Sequence, residues 1–183
     1  MKSSPPVPVT IRRCTVDDAA TVASLGARLF TESYGPTHPE PELSRYLARS
    51  FAIADTRDTI ASEDVTMLLA EEQDGTAIGY AFVRESPAPP EGVTGAHALE
   101  VVRFYVDGRA QGRGIGAALM HECFEDARWR GADVIWLQTW KEASWAVGFY
   151  KRLGFSIVGS APFYFGDRVG DDHVMMRAVQ PRQ

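Results

Sequence analysis

Residues 109–116 read Arg-Ala-Gln-Gly-Arg-Gly-Ile-Gly, with an apolar run before them and a helical pattern after them. Glycines at 112, 114 and 116 let a backbone turn tightly and approach a bound group closely. Successive amide N–H groups at the start of a helix, reinforced by the helix dipole, make an anion site suited to phosphate oxygens. Arg109 and Arg113 add positive charge. A tight glycine turn with solvated arginines is the competing reading, and the loop alone does not choose between them.

Two common nucleotide loops are excluded. No Gly-Lys-Ser/Thr ending is present, so this is not the nucleoside-triphosphate loop. Gly112-Arg113-Gly114 followed by Ala117 mimics the dinucleotide fingerprint. That fold needs a carboxylate about 20 residues on, at the end of the next strand. Here that strand closes Leu137-Gln138-Thr139-Trp140, without one.

The whole chain limits the remaining choices. Its 183 residues suit one domain, expected over residues 9–180 behind a flexible lead of residues 1–8. A hydrophobic share of 45% with 23% charged residues is that of a soluble globular protein. The net charge of −5 argues against a nucleic-acid partner. No apolar run approaches the roughly 20 residues of a membrane span. The Ser/Pro-rich lead has no basic-then-apolar signal pattern, so a cytoplasmic location is expected. Cys14 and Cys123 form no CxxC, Cys123 falls on the apolar side of a helix, and no metal-ligand spacing is present; no metal is expected.

The elements that must position the loop follow from periodicity. Residues 7–13 alternate and read as a strand, confined by Pro8 to an edge or a strand start. Thr15 and Asp18 have capping-box spacing ahead of a helix to about Phe30. A second helix covers residues 42–52, and residues 55–64 are ambiguous. Residues 66–71 and 77–85 form a hairpin about Asp74-Gly75. Residues 86–95, with three prolines, are a loop. Residues 97–106 are strongly β. A helix over 112–130, a strand over 134–140 and a helix over 143–153, closed by Gly154, come next. Strands over 155–164 and 173–179 finish the chain, with a loop at 166–172 between them.

Gln111-Gly112-Arg113-Gly114-Ile115-Gly116 realises the pattern Q/R-x-x-G-x-G/A. It lies after a strand reading Glu-x-x-Arg-Phe-Tyr-Val and before a helix, a strand and a helix ending Phe149-Tyr150-Lys151-Arg152-Leu153-Gly154-Phe155. In this the chain resembles the GNAT superfamily of acyl-CoA-dependent N-acyltransferases. Phe30-Thr31-Glu32-Ser33-Tyr34, Ile135 to Trp140 and the tail from Phe163 are similar to the bacterial spermidine/spermine N-acetyltransferase group.

The resemblance implies an α+β, three-layer fold. Its mixed, mostly antiparallel sheet of about seven strands is flanked by helices and splayed between the strand ending at Val106 and the strand starting at Val134. Acetyl-CoA is the implied acyl donor, and a small-molecule primary amine, such as a polyamine, the implied acceptor. Phe104, Tyr105 and Val106 would face the pantetheine arm; Gln111, Gly112, Arg113, Gly114, Ile115 and Gly116 would hold the pyrophosphate. Glu100 stands where the family carries its base and Tyr150 where it carries its acid. Each has a plainer reading, Glu100 as a strand-start charge and Tyr150 as an aromatic packed under the cofactor. Tyr105 alternates to the face opposite Phe104. Ala143 replaces the usual cofactor-binding Asn, which puts part of that contact in doubt. Glu32, Tyr34 and Glu100 are the expected acceptor contacts, and Glu85, Asp167 and Asp172 are further acids near a cation. The family suggests a homodimer. Rival readings are a protein lysine or N-terminal acetyltransferase, and an acyl-CoA-binding regulator with little turnover.

Overall fold

The computed structural model describes residues 8–37, 39–165 and 168–180. Residues 1–7, which hold all but Pro8 of the lead and the first residue of the expected opening strand, together with His38 and Asp167, lie outside the described residues. Among the described residues, seven strands make one sheet: β1 (Val9–Arg13), β2 (Val65–Glu72), β3 (Ala77–Glu85), β4 (Ala98–Val106), β5 (Val134–Trp140), β6 (Ser156–Phe165) and β7 (Arg168–Ala178). Their spatial order is β1-β2-β3-β4-β5-β7-β6. Every neighbouring pair is antiparallel except β4 with β5. This is the mostly antiparallel, helix-flanked α+β sheet expected from the sequence.

Among the described residues, five α-helices cover the two faces: α1 (Ala19–Tyr34), α2 (Glu42–Ser50), α3 (Ile53–Ala61), α4 (Ile115–Arg130) and α5 (Ser144–Arg152). On one face, Leu119, Met120, Cys123, Phe124 and Ala127 of α4 pack on Leu99, Val101, Ile135 and Leu137. Their spacing is that of a single helical stripe. Most are at or near zero exposure, and each large one contributes about 2 kcal/mol of burial. On the other face, Val22, Leu25 and Leu29 of α1 pack on Met67, Leu69, Tyr80 and Phe82. Gly131, at φ 73°, ends α4 by donating its N–H to the Ala127 and Arg128 carbonyls.

Several expected boundaries move. The Thr15 amide donates to Asp18 at 2.7 Å, but the box caps a 3-10 turn, Val16–Asp18, and the α-helix proper starts at Ala19. α1 continues past Phe30 to Tyr34, carrying Glu32 and Tyr34 on a helix rather than a turn. The ambiguous stretch contains α3. Residues 168–172 of the expected loop belong to β7: Asp172 pairs with Trp140 of β5 and Ala161 of β6. Pairing on both sides overrides the low strand preference of Gly and Asp.

Candidate active site

β4 and β5 run together only from Ala98↔Val134 to Val101↔Leu137. Beyond that β4 stays with β3, to Gly79↔Val106, while β5 stays with β7, to Trp140↔Asp172. The sheet therefore parts between residues 102–106 and 138–140. One backbone edge of β4 is left open to an extended, strand-like ligand.

A bulge in β4 decides which side chains face which way. Phe82 pairs with Arg103 and Val83 with Val101, so Val102 is an extra residue. Val101 packs in the α4 core. Val102 packs against the cluster that holds Leu25 and Tyr80, in the layer under α1. The Arg103 guanidinium lies 4.5 Å over the Phe51 ring, in the same layer. Alternation then resumes: Phe104 is 5.8 Å from Phe149 of α5, and Tyr105 stacks 5.7 Å from Tyr80. The bulge thus puts Glu100 and Tyr105 on the α1 side and Phe104 on the α5 side.

The glycine loop follows β4 directly. Asp107, 2% exposed, accepts from the Arg109 amide and Nε at 2.9 and 3.0 Å through Oδ1. Its Oδ2 takes Arg109 Nη2 at 2.7 Å and Arg28 Nη2 at 2.8 Å. Arg109 and then Arg28 hold its carboxyl far below the usual range, against the opposing effect of burial. Gly112 and Gly114 have φ of 77° and 79°, a region open to glycine and strained for other residues. Ala118 makes the first bond of α4, to the Gly114 carbonyl at 3.0 Å. The amides of Ile115, Gly116 and Ala117 precede it and point out of the helix start. Both loop arginines already hold carboxylates, Arg113 on Glu72 at 2.6 Å and Arg109 on Asp107. The attraction for an anion therefore comes mainly from the amides and the helix dipole. A Cβ on Gly116 would stand 3.2 Å from Phe149 Cζ, which shows how closely α5 approaches the loop.

A cavity of about 470 Å³ opens where the strands part. Glu100, Tyr34, Tyr105, Trp140 and Asp172 are among its walls. Glu100 is 8% exposed, and both Arg84 contacts, Nε at 2.8 Å and Nη2 at 2.7 Å, fall on its Oε2. No other described group bonds Oε1. Tyr34 lies 4.9 Å from Phe30 and edge-on to Trp140 at 6.4 Å. Its phenol is pushed above the usual value by burial first and by Asp172 second.

Tyr150 is enclosed by Phe149 at 5.3 Å, Phe155 at 5.7 Å and Phe104 at 6.3 Å. Burial, and then the nearby Tyr34 phenol, raise it well above an ordinary tyrosine. It stays a protonated phenol across the physiological range. Ala143 is buried in the same core at the start of α5. Its amide bonds the Trp140 carbonyl at 3.0 Å. Glu32 is exposed on α1 and takes Arg28 Nη1 at 2.8 Å. Through Arg28 it belongs to an ion-pair chain that runs to Asp107. Gln138, a wall residue absent from the sequence expectations, has its Nε2 buried with no described partner.

The comparisons with known proteins agree with this geometry. The profile of the acetyltransferase (GNAT) family matches residues 27–155. An uncharacterized N-acetyltransferase of Mycobacterium tuberculosis is 26% identical over 162 residues, 88% of this chain and 98% of that one. The N-alpha-acetyltransferase RimI of the same organism is 29% identical over 171 residues, 93% of this chain and 92% of its own. The crystal structure of PaiA N-acetyltransferase from Thermoplasma acidophilum in complex with coenzyme A superposes with a TM-score of 0.74. It is 18% identical and covers 93% of this chain and 99% of that one. The chain belongs to the acetyltransferase (GNAT) family, and its enzyme class is that of the N-acetyltransferases. Among the described residues, no helix is long and apolar enough to cross a membrane, and no group of three His, Cys, Asp or Glu is placed to hold a metal ion.

Proposed function

We propose that the protein transfers an acetyl group from acetyl-CoA to a primary amine of a small molecule, polyamines included, by direct attack in a ternary complex. The observation that carries this is the parting of β4 from β5 beside both Glu100 and the glycine loop. The amides of residues 112–117 suit the pyrophosphate, and the open edge of β4 at Phe104–Val106 suits the pantetheine arm. A β4 amide also serves as donor to the thioester oxygen as negative charge develops there.

An alkylamine has a pKa of about 10, so at neutral pH nearly all of it is protonated and inert. Glu100 takes that proton, directly or through water, on its uncommitted Oε1. The neutral nitrogen attacks the carbonyl carbon, the carbon–sulfur bond breaks, and the second proton that the nitrogen sheds to become an amide leaves through water to the solvent. Tyr150, which burial keeps protonated and so able to donate, gives its proton to the departing thiolate and regains one from solvent. The products are the N-acetylamine and CoA.

Enclosure favours a small acceptor. Tyr34 of α1, Tyr46 of α2 and Phe163 of β6 all stand on the cavity walls. The similarity to RimI over most of both chains favours a second reading, acetylation of a protein N-terminus. Thiol release from acetyl-CoA over a panel of small amines and peptides separates them. Turnover with small amines supports the first reading, and turnover with peptides alone replaces it.

A further inference from the structure

The acids available to a cationic acceptor do not have equivalent surroundings. Glu32 is held by Arg28. Glu85 holds His97 at 2.7 Å and Arg130 at 3.1 Å and is not on the cavity wall. Asp172 is on the wall and 7% exposed. Among the described residues none donates a hydrogen bond to its carboxylate. Burial and Asp171 push its carboxyl above the usual range, opposed by His173 and Lys141. Tyr34 is the other titratable group that feels it. A carboxylate withdrawn from water without a partner is unfavourable, and a ligand cation is the partner it lacks.

Position says which cation. Glu100 lies opposite Trp136 of β5, whereas Asp172 lies opposite Trp140 of the same strand. Four residues of strand span about 13 Å, so one ammonium does not touch both carboxylates. The walls also carry the rings of Tyr34, Tyr46, Phe163 and Phe165, which suit an alkyl stem and stabilise a cation over their faces.

We propose that Asp172 is a specificity-determining residue that holds a second, non-reacting cation of the acceptor, while the nitrogen to be acetylated sits beside Glu100. This rests on the acetyl-transfer reading above and names its acceptor chemistry: two cationic nitrogens joined by an apolar chain.

Calorimetric titration of the CoA-loaded protein with octane-1,8-diamine and with n-octylamine tests it. The expected result is a diamine bound about tenfold tighter or more. The advantage shrinks as salt is added and falls to a ratio near one in Asp172→Asn. Asp172→Glu is expected to restore part of it, and a CoA-dependent rise in Tm reports whether each variant is folded. If neither variant folds, the wild-type ratio and its salt dependence still decide. Equal affinities in the wild type, no binding of either amine, or a wild-type ratio in a folded Asn variant overturns the proposal. A diamine preference without amide formation keeps Asp172 and removes the acetyl-transfer reading. Amide formation without a preference removes Asp172 alone.

Discussion

Arg84 and Glu100 are direct partners across β3 and β4, and both guanidinium contacts, at 2.8 and 2.7 Å, fall on the one oxygen Oε2. The pair fixes the carboxylate while leaving Oε1 for the cavity. The positioning residue and the proposed base are thus direct cross-strand neighbours, where opposite charges stabilise each other.

Glu100→Gln keeps the shape of the side chain and removes its ability to take a proton. The expected fall in kcat is about 10²- to 10⁴-fold, with KM for acetyl-CoA unchanged and the acidic limb of the pH–rate profile lost. A profile identical to wild type would leave Glu100 as a structural partner of Arg84.

Tyr150→Phe is expected to lower kcat by about 10²-fold or more while CoA still raises Tm as in wild type. Because burial lifts the Tyr150 phenol above its ordinary value, its protonated form persists at alkaline pH. Turnover of the wild type is therefore expected to hold through pH 10, the ordinary tyrosine value, before declining. Unchanged turnover in the variant removes Tyr150 as the acid.

Gly114 offers a clean test of the loop. Nothing lies within 4 Å of a Cβ built there, yet its φ is +79°. Gly114→Ala therefore introduces backbone strain without a clash, about 1 kcal/mol. The expected outcome is a raised KM for acetyl-CoA with kcat at saturation within about twofold, a several-fold effect on affinity. An unchanged KM would show that the loop backbone does not hold the donor.

Stability rests on a different cluster. Asp126, 4% exposed, accepts from Thr66 at 3.0 Å, meets Arg130 at 3.1 Å, and pairs with Arg13. Asp126→Ala removes one partner of the largely buried Arg130, which keeps Glu85 and Thr66, at a cost of about 2 kcal/mol. Urea unfolding is expected to show a lower midpoint with an unchanged slope. A midpoint equal to wild type would show that the cluster is solvated rather than structural.

The long, strongly periodic elements were legible in the residues. β3 and β5 have the expected bounds, and the loop before α4 sits where its glycines require. The Val102 bulge was not legible, because Val101-Val102 continues an ordinary β run and the extra residue exists only against β3. That one residue sets which face carries Glu100. Nor did spacing distinguish Asp172 from Glu32. Glu32 has a local partner one helical turn away in Arg28, whereas Asp172 owes its burial to strands on both sides. Both facts belong to tertiary pairing, which no local pattern encodes.

Product analysis reads most directly whether this cavity presents a small amine to acetyl-CoA. With acetyl-CoA and octane-1,8-diamine, mass spectrometry is expected to show the mono-N-acetylated amine formed in equal amount with free CoA, at a rate that Glu100→Gln depresses. Acetylation of peptide N-termini with no amide on any small amine, by a protein that still binds CoA, would contradict it.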